Sequence, residues 1–258
     1  MQSTDVGEPS MISGVEPKLL EAGAKLVIEH AVPKLTDYGK MLWSGKMFLI
    51  LGPARSGKSN FLNFLEYLVL EPEKSTPVTV NVVKGANKTL KIGPDKSLTL
   101  RVRKPRDVPG QTPIHEIEHV KHYNPHCIVI VLDTTRFFGV GDSENALIWL
   151  EQFCSLLDIA LKNNRKIAKK LKSMIVVMNK WDKIAEVAKN KQDEMEYRQL
   201  YEIEVRNVLD KTLGNELYSK TGANNVEVVP CALVSHTQFG DSLARQLIQS
   251  TALSLSRH

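Results

Sequence analysis

The chain has 258 residues, 42% hydrophobic and 24% charged, values that exclude a disordered, collagen-like or fibrous polypeptide. Its longest apolar runs, such as residues 47–51 and 127–132, have the length of a strand and not of a membrane-spanning helix. The formal charge of +5 is unevenly spread. Residues 84–106 carry eight basic side chains against Asp95 alone, and residues 162–172 carry six with no acid. Such clusters fit a phosphate, an anionic lipid or an acidic partner, or else a solvated strand pair and helix face. Few aromatics lie nearby to stack bases, which argues against nucleic acid.

Cys127, Cys154 and Cys231 are too few for a disulfide framework and lack the spacing of a zinc site. A reducing compartment, the cytoplasm, is the expectation. The first residues, Met1-Gln2-Ser3-Thr4-Asp5, offer neither the basic head nor the apolar core of a secretion signal. Gln2 does not fit N-myristoylation, and residues 254–258 contain no cysteine for prenylation.

In chain order, residues 1–16 read as a polar tail containing Gly7, Pro9 and Gly14. Residues 17–43 read as a helix. Leu20, Ala24, Val27, Ala31 and Leu35 recur at spacings of three and four, with Pro33 kinking or splitting the pattern. Residues 46–51 predict a buried strand, 52–57 a glycine-punctuated turn, and 59–70 a helix with Phe61, Leu62, Phe64, Leu65 and Leu68 inward. Residues 79–83, 88–91 and 98–102 predict strands, with Gly93-Pro94-Asp95 as a turn between the last two.

Residues 127–132 predict a continuous apolar strand, 142–172 helix in one or two pieces, and 173–178 another buried strand. Residues 183–213 form a long charged helical region, 226–229 a last strand and 240–253 a last helix. Strands alternating with helices imply an α/β fold with a mostly parallel sheet, and the middle strands without an intervening helix supply one antiparallel edge. The division expected is a tail and helical extension over residues 1–44 and a nucleotide-binding domain over 45–258.

Gly52-Pro53-Ala54-Arg55-Ser56-Gly57-Lys58-Ser59 matches G-x-x-x-x-G-K-[ST] at every fixed position, between an apolar strand and a helix that continues with Asn60. Backbone N–H groups of such a loop converge on phosphate oxygens, and the helix N-terminus adds its positive end. Lys58 should reach the β- and γ-phosphates and Ser59 should ligate Mg²⁺. This loop predicts a nucleoside triphosphate without naming the base. Asp107-Val108-Pro109-Gly110-Gln111 fits D-x-x-G, 48 residues after Ser59. Asp107 is suited to Mg²⁺ through a bound water, the Gly110 N–H to the γ-phosphate, and Gln111 to orienting the attacking water. An ordinary turn is the alternative for this short pattern.

Asn179-Lys180-Trp181-Asp182 closes the strand 173–178. The Asp182 carboxylate can accept from the adjacent donors at guanine N1 and N2, which adenine lacks. Asn179 can bridge base and phosphate loop, and the Lys180 stem can lie along the ring. The alternative makes Asp182 the cap of a surface helix. After the last strand, the Ala232 N–H within Cys231-Ala232-Leu233 is suited to meeting guanine O6, and a plain strand end is the alternative.

On these residues the chain resembles the small GTPase (Ras-like) branch of the P-loop GTPases over about residues 46–253. Cys231-Ala232 and the threonines before the second strand look Arf-like, while Asn-Lys-Trp-Asp and Pro109 are similar to Era-like GTPases. The resemblance implies a Ras-like fold, GTP and GDP as ligands with Mg²⁺, slow hydrolysis of GTP catalysed by Gln111 and Lys58, and a protein effector or regulator at the switch segments. It further implies a metal-binding threonine between the two phosphate motifs. Thr76, 17 residues after Ser59, suits the spacing better than Thr79.

Three features depart from the pattern. Pro109 stiffens the switch, Ala54 and Arg55 replace small glycine-like positions, and Ala232 follows Asp182 by 50 residues. The extra length falls in residues 183–213, either a partner surface or a longer solvated helix. The amphipathic segment 17–43 packs on its own domain, on a partner or, as the weaker alternative, on a membrane surface. Its polar face mixes Glu16, Glu21, Glu29 and Asp37 with lysines. The rival functions are a nucleotide-binding scaffold with little turnover and an ATP-using P-loop phosphotransferase.

Overall fold

The computed structural model describes residues 46–67, 83–84, 88–92, 98–107, 112–138, 145–213 and 226–233, all within one compact unit, Met41–His258. The amphipathic segment 17–43, Thr76 and Thr79, the switch residues Pro109, Gly110 and Gln111, and the last helix 240–253 lie outside the described residues.

Among the described residues, seven strands make one sheet: β1 (Lys46–Leu51), β2 (Val83–Lys84), β3 (Lys88–Ile92), β4 (Leu98–Asp107), β5 (Cys127–Asp133), β6 (Ser173–Asn179) and β7 (Val226–Pro230). Their order is β2-β4-β1-β5-β6-β7, with β3 also on β4. From β4 to β7 the neighbours run parallel. At the edge away from β1 two short strands, β2 and β3, pair antiparallel with β4, where the sequence pattern implies one antiparallel edge strand.

β4 is longer than the sequence pattern predicts. The basic residues Arg101, Arg103, Lys104 and Arg106 hide the alternation in its sequence, and Pro105 looks like a stop. The register against β1 shifts by one residue, from Met47↔Arg103 to Leu49↔Arg106. That bulge accommodates a residue with no N–H to give to the ladder, so the strand continues to Asp107.

The helices are α1 (Lys58–Tyr67), α2 (Pro113–Tyr123), α3 (Ala146–Asn163), α4 (Arg165–Lys170), α5 (Trp181–Val187) and α6 (Lys191–Thr212), with a 3₁₀ turn at Thr134–Arg136 after β5. α3 and α4 are separated by Asn164, whose backbone closes one helix and whose Oδ1 caps the next. The charged stretch after β6 is likewise two helices, with Asn190 capping α6. None of the described helices is long and apolar enough to cross a membrane.

Side chains of β1, β5 and β6 alternate between two cores, as strand geometry requires. Leu49, Leu51, Ile128, Ile130, Leu132, Met174 and Val176 face α2, α3 and α6. Phe48, Ile50, Val129, Val131, Ile175 and Val177 meet Phe61, Leu62 and Phe64 of α1. Burial on both faces explains why these strands read as unbroken apolar runs. β1 lies between β4 and β5, and the chain crosses over it on passing from one to the other. Open sheets of this kind bind ligands outside the carboxyl ends of the strands at that crossover.

Candidate nucleotide site

Every described motif residue stands at this carboxyl edge. The loop after β1 opens with Gly52 at φ 139°, a conformation open to glycine alone. A Cβ there would sit 2.2 Å from the carbonyl oxygen of Val131 in β5. Pro53, Ala54 and exposed Arg55 form the tip, Arg55 itself at φ 62°. Ser56 is buried, and its Oγ has no hydrogen-bond partner among the described residues. Gly57 has φ 100°, and a Cβ on it would meet Nδ2 of Asn179 at 2.2 Å. Lys58 begins α1 but turns back over the loop, its Nζ donating to the carbonyls of Gly52 and Pro53 at 2.9 Å each. The buried ammonium is thereby held by two backbone carbonyls of its own loop. Ser59 and Asn60 follow in the first turn of α1.

Asn179 ends β6 and joins three segments. Its Nδ2 donates to the Ser56 carbonyl at 2.8 Å, and its Oδ1 accepts the Leu233 N–H at 3.2 Å. Its own carbonyl accepts the Thr134 hydroxyl at 2.7 Å. Asn60 Nδ2 reaches the Leu233 carbonyl at 3.4 Å. The Cys231 N–H donates to Met178 and the Cys231 carbonyl accepts from the Trp181 N–H, at 2.8 and 3.0 Å. The residues of the phosphate loop, of 179–182 and of 231–233 therefore belong to one hydrogen-bonded assembly. Cys231, Ala232 and Leu233 are all buried, and burial pushes the Cys231 thiol pKa up.

Lys180 adopts the left-handed conformation at φ 61° and turns the chain into α5. Asp182 is 2% exposed in the first turn of that helix. It is not the cap, a position held by Lys180 without a side-chain cap bond. A carboxylate at the positive end of a helix is favoured there. Behind the loop, Trp181 donates Nε1–H to Glu194 of α6 at 3.1 Å and sets its ring edge against Tyr201. Tyr201 stacks in turn on Phe137. The long helix α6 is thus the rear wall of the 179–182 loop.

Asp107 is the last residue of β4, beside Ile50 of β1 in register, and so stands at the same edge as the phosphate loop. The hydroxyl of Ser59 and the carboxylate of Asp107 are hard oxygen donors on adjacent elements, the chemistry that Mg²⁺ takes. Among the described residues no group of three or more His, Cys, Asp or Glu is placed to hold a metal ion.

Asp133 and Thr134 were not anticipated from the sequence. Both are buried where β5 ends, and Asp133 bonds Lys180. Their only signal is a polar Asp-Thr-Thr run at the end of an apolar strand. Six of the nine buried polar or charged residues among those described lie at this edge: Ser56, Lys58, Asp133, Thr134, Asn179 and Asp182. Such burial is costly, and its concentration at one place marks a site.

No protein-family model matches the chain, and no curated protein matches it. Among solved structures, the bacterial selenocysteine-specific elongation factor EF-Sec is similar, with a TM-score of 0.48 and 16% identity over 83% of this chain. The chain spans 29% of the length of that protein.

Proposed function

We propose that residues 45–258 form a Ras-like guanine-nucleotide switch that hydrolyses GTP to GDP and phosphate. One observation carries this reading. Asn179 ties the phosphate loop at Ser56 to the 231–233 segment at Leu233, and buried Asp182 lies three residues further on. A single nucleotide can then have its phosphates on Gly52–Ser59 and its base between Asp182 and Ala232. Asp182 accepts from guanine N1–H and N2–H, and the Ala232 N–H donates to O6. Adenine presents a lone pair where Asp182 needs a donor, so it is rejected.

In the reaction, water attacks the γ-phosphorus as the bond to the β,γ-bridging oxygen breaks. GDP leaves with that electron pair, and the water proton passes to phosphate. Lys58 and the loop N–H groups stabilise the spreading charge, while Gln111 orients the water. Ser59, Asp107 and Thr76 are the proposed holders of Mg²⁺, which supplies charge neutralisation on the phosphates. The Gly110 N–H senses the γ-phosphate, and the segments around Thr76 and Asp107 present the bound state to a protein partner. We propose cytoplasmic residence, with a position peripheral to a membrane as the alternative, on the small number and scatter of the cysteines.

Competition against a fluorescent guanine nucleotide tests it. GTP and GDP should displace the probe at concentrations at least 100-fold below those of ATP and ADP. Equal displacement by adenine nucleotides would replace this reading with an ATP-using phosphotransferase.

A further inference from the structure

We infer that Asp133 is a positioning residue for the base pocket: its buried carboxylate anchors the Lys180 ammonium and so holds the lysine stem against one face of the purine. The inference rests on the guanine-nucleotide reading above. Asp133 closes β5 directly beside Asn179 in the register of β6. Its side chain is 2% exposed and both oxygens are committed. Oδ1 accepts from the Thr135 N–H at 3.1 Å and from the Thr135 hydroxyl at 2.6 Å, which fixes the carboxylate on its own turn. Oδ2 accepts from Lys180 Nζ at 2.5 Å, across 47 residues of sequence. Arg136 is a secondary partner at 3.6 Å.

Lys180 is the residue that most needs such an anchor. Its backbone sits at φ 61°, uncommon for a long side chain. The side chain is 36% exposed, so without a partner its four-carbon stem would sample many rotamers. With the ammonium held at the end of β5, the stem is ordered before ligand arrives, and less entropy is lost on binding. The pair differs from a surface ion pair because one partner is sequestered and its second oxygen is already bonded. Asp133 does not touch the donors that distinguish guanine, so it governs how long nucleotide stays and not which base is chosen.

The test measures GDP affinity and dissociation rate for the full chain, for Asp133→Asn, for Lys180→Met and for the double variant. Asn keeps an oxygen for Thr135 and removes the charge, while Met keeps the stem and removes the ammonium. Each single change should weaken GDP binding about tenfold, through faster dissociation, and the double change should be no worse than either. The preference for GDP over ADP should stay as in the unaltered chain. Unchanged dissociation in both single variants, or losses that multiply in the double variant, would overturn the inference. If Asp133→Asn does not fold, Lys180→Met decides from the half-exposed side: dissociation equal to the parent sinks the proposal. Failure of the parent chain itself to prefer GDP over ADP is a separate outcome, which removes the guanine reading and the role of Asp133 with it.

Discussion

At the amino end of the parallel sheet one residue, His126, joins three strands. Its N–H donates to the Met47 carbonyl and its ring Nδ1 accepts the Met47 N–H, at 3.0 and 3.1 Å. Its own carbonyl accepts the N–H groups of Lys172 and Ser173. At the carboxyl end no single residue suffices. The loops after β1, β5, β6 and β7 are joined by the side chains of Asn60, Thr134, Asn179 and Lys180. The first end is closed by backbone and one ring. The second is an arrangement of buried amide, hydroxyl, ammonium and carboxylate groups that costs stability to assemble. The difference teaches where this molecule spends its folding energy on something other than folding.

The sharpest way to break the carboxyl end is Gly57→Ala. Its positive φ and the 2.2 Å approach to Asn179 Nδ2 leave no room for a methyl group, so the loop and the Asn179 bridge must move together. Nucleotide affinity should fall at least ~100-fold, equivalent to about 3 kcal/mol, measured by titration of a fluorescent guanine nucleotide. Asn179→Ala comes next. It strands the Ser56 carbonyl and the Leu233 N–H, and should lower affinity about 30-fold while costing about 2 kcal/mol in denaturant unfolding.

His126→Ala sharpens the contrast. It removes the acceptor for the Met47 N–H and should cost about 1–2 kcal/mol of stability, yet leave GDP affinity within about twofold. A large affinity loss there would mean that the two ends are coupled. The smallest effect concerns the three free, buried thiols, of which burial pushes Cys154 up to about 12. A raised folded pKa gives stability that is complete below the ordinary thiol value of 9.0 and lost as pH climbs toward the folded value. Denaturation midpoints should therefore decline above pH 9, with Cys154→Ala removing about 1 kcal/mol per pH unit of that slope.

Much of the carboxyl end was legible in the sequence because its parts are short and local. A glycine at each turn of the phosphate loop, an apolar run before each motif, and the positions of Asn179 and Asp182 are visible without coordinates. What escaped depends on partners distant in sequence. Asp133 looks like the polar end of a strand until Lys180 is seen across 47 residues. α2 was not predicted, although Thr112 precedes Pro113 at its first turn and Pro113, Ile117 and Val120 share its buried side. Buried Glu116, together with His115, His119 and His122, breaks the apolar pattern. The helical stretch 183–213 reads in sequence as a partner surface or a longer solvated helix, but Glu194 and Tyr201 make it the back of the 179–182 loop. Only the fold reveals that use.

The account stands most directly on the carboxylate of Asp182, and Asp182→Asn interrogates it alone. The measurement is the ratio of GDP to XDP affinity, with and without the substitution. An amide offers the purine a donor where a carboxylate offered only acceptors, so the variant should bind GDP at least ~100-fold more weakly and bind XDP more tightly than the parent does. A variant that keeps the GDP affinity of the parent and gains nothing toward XDP would contradict the assignment of this edge as a guanine site.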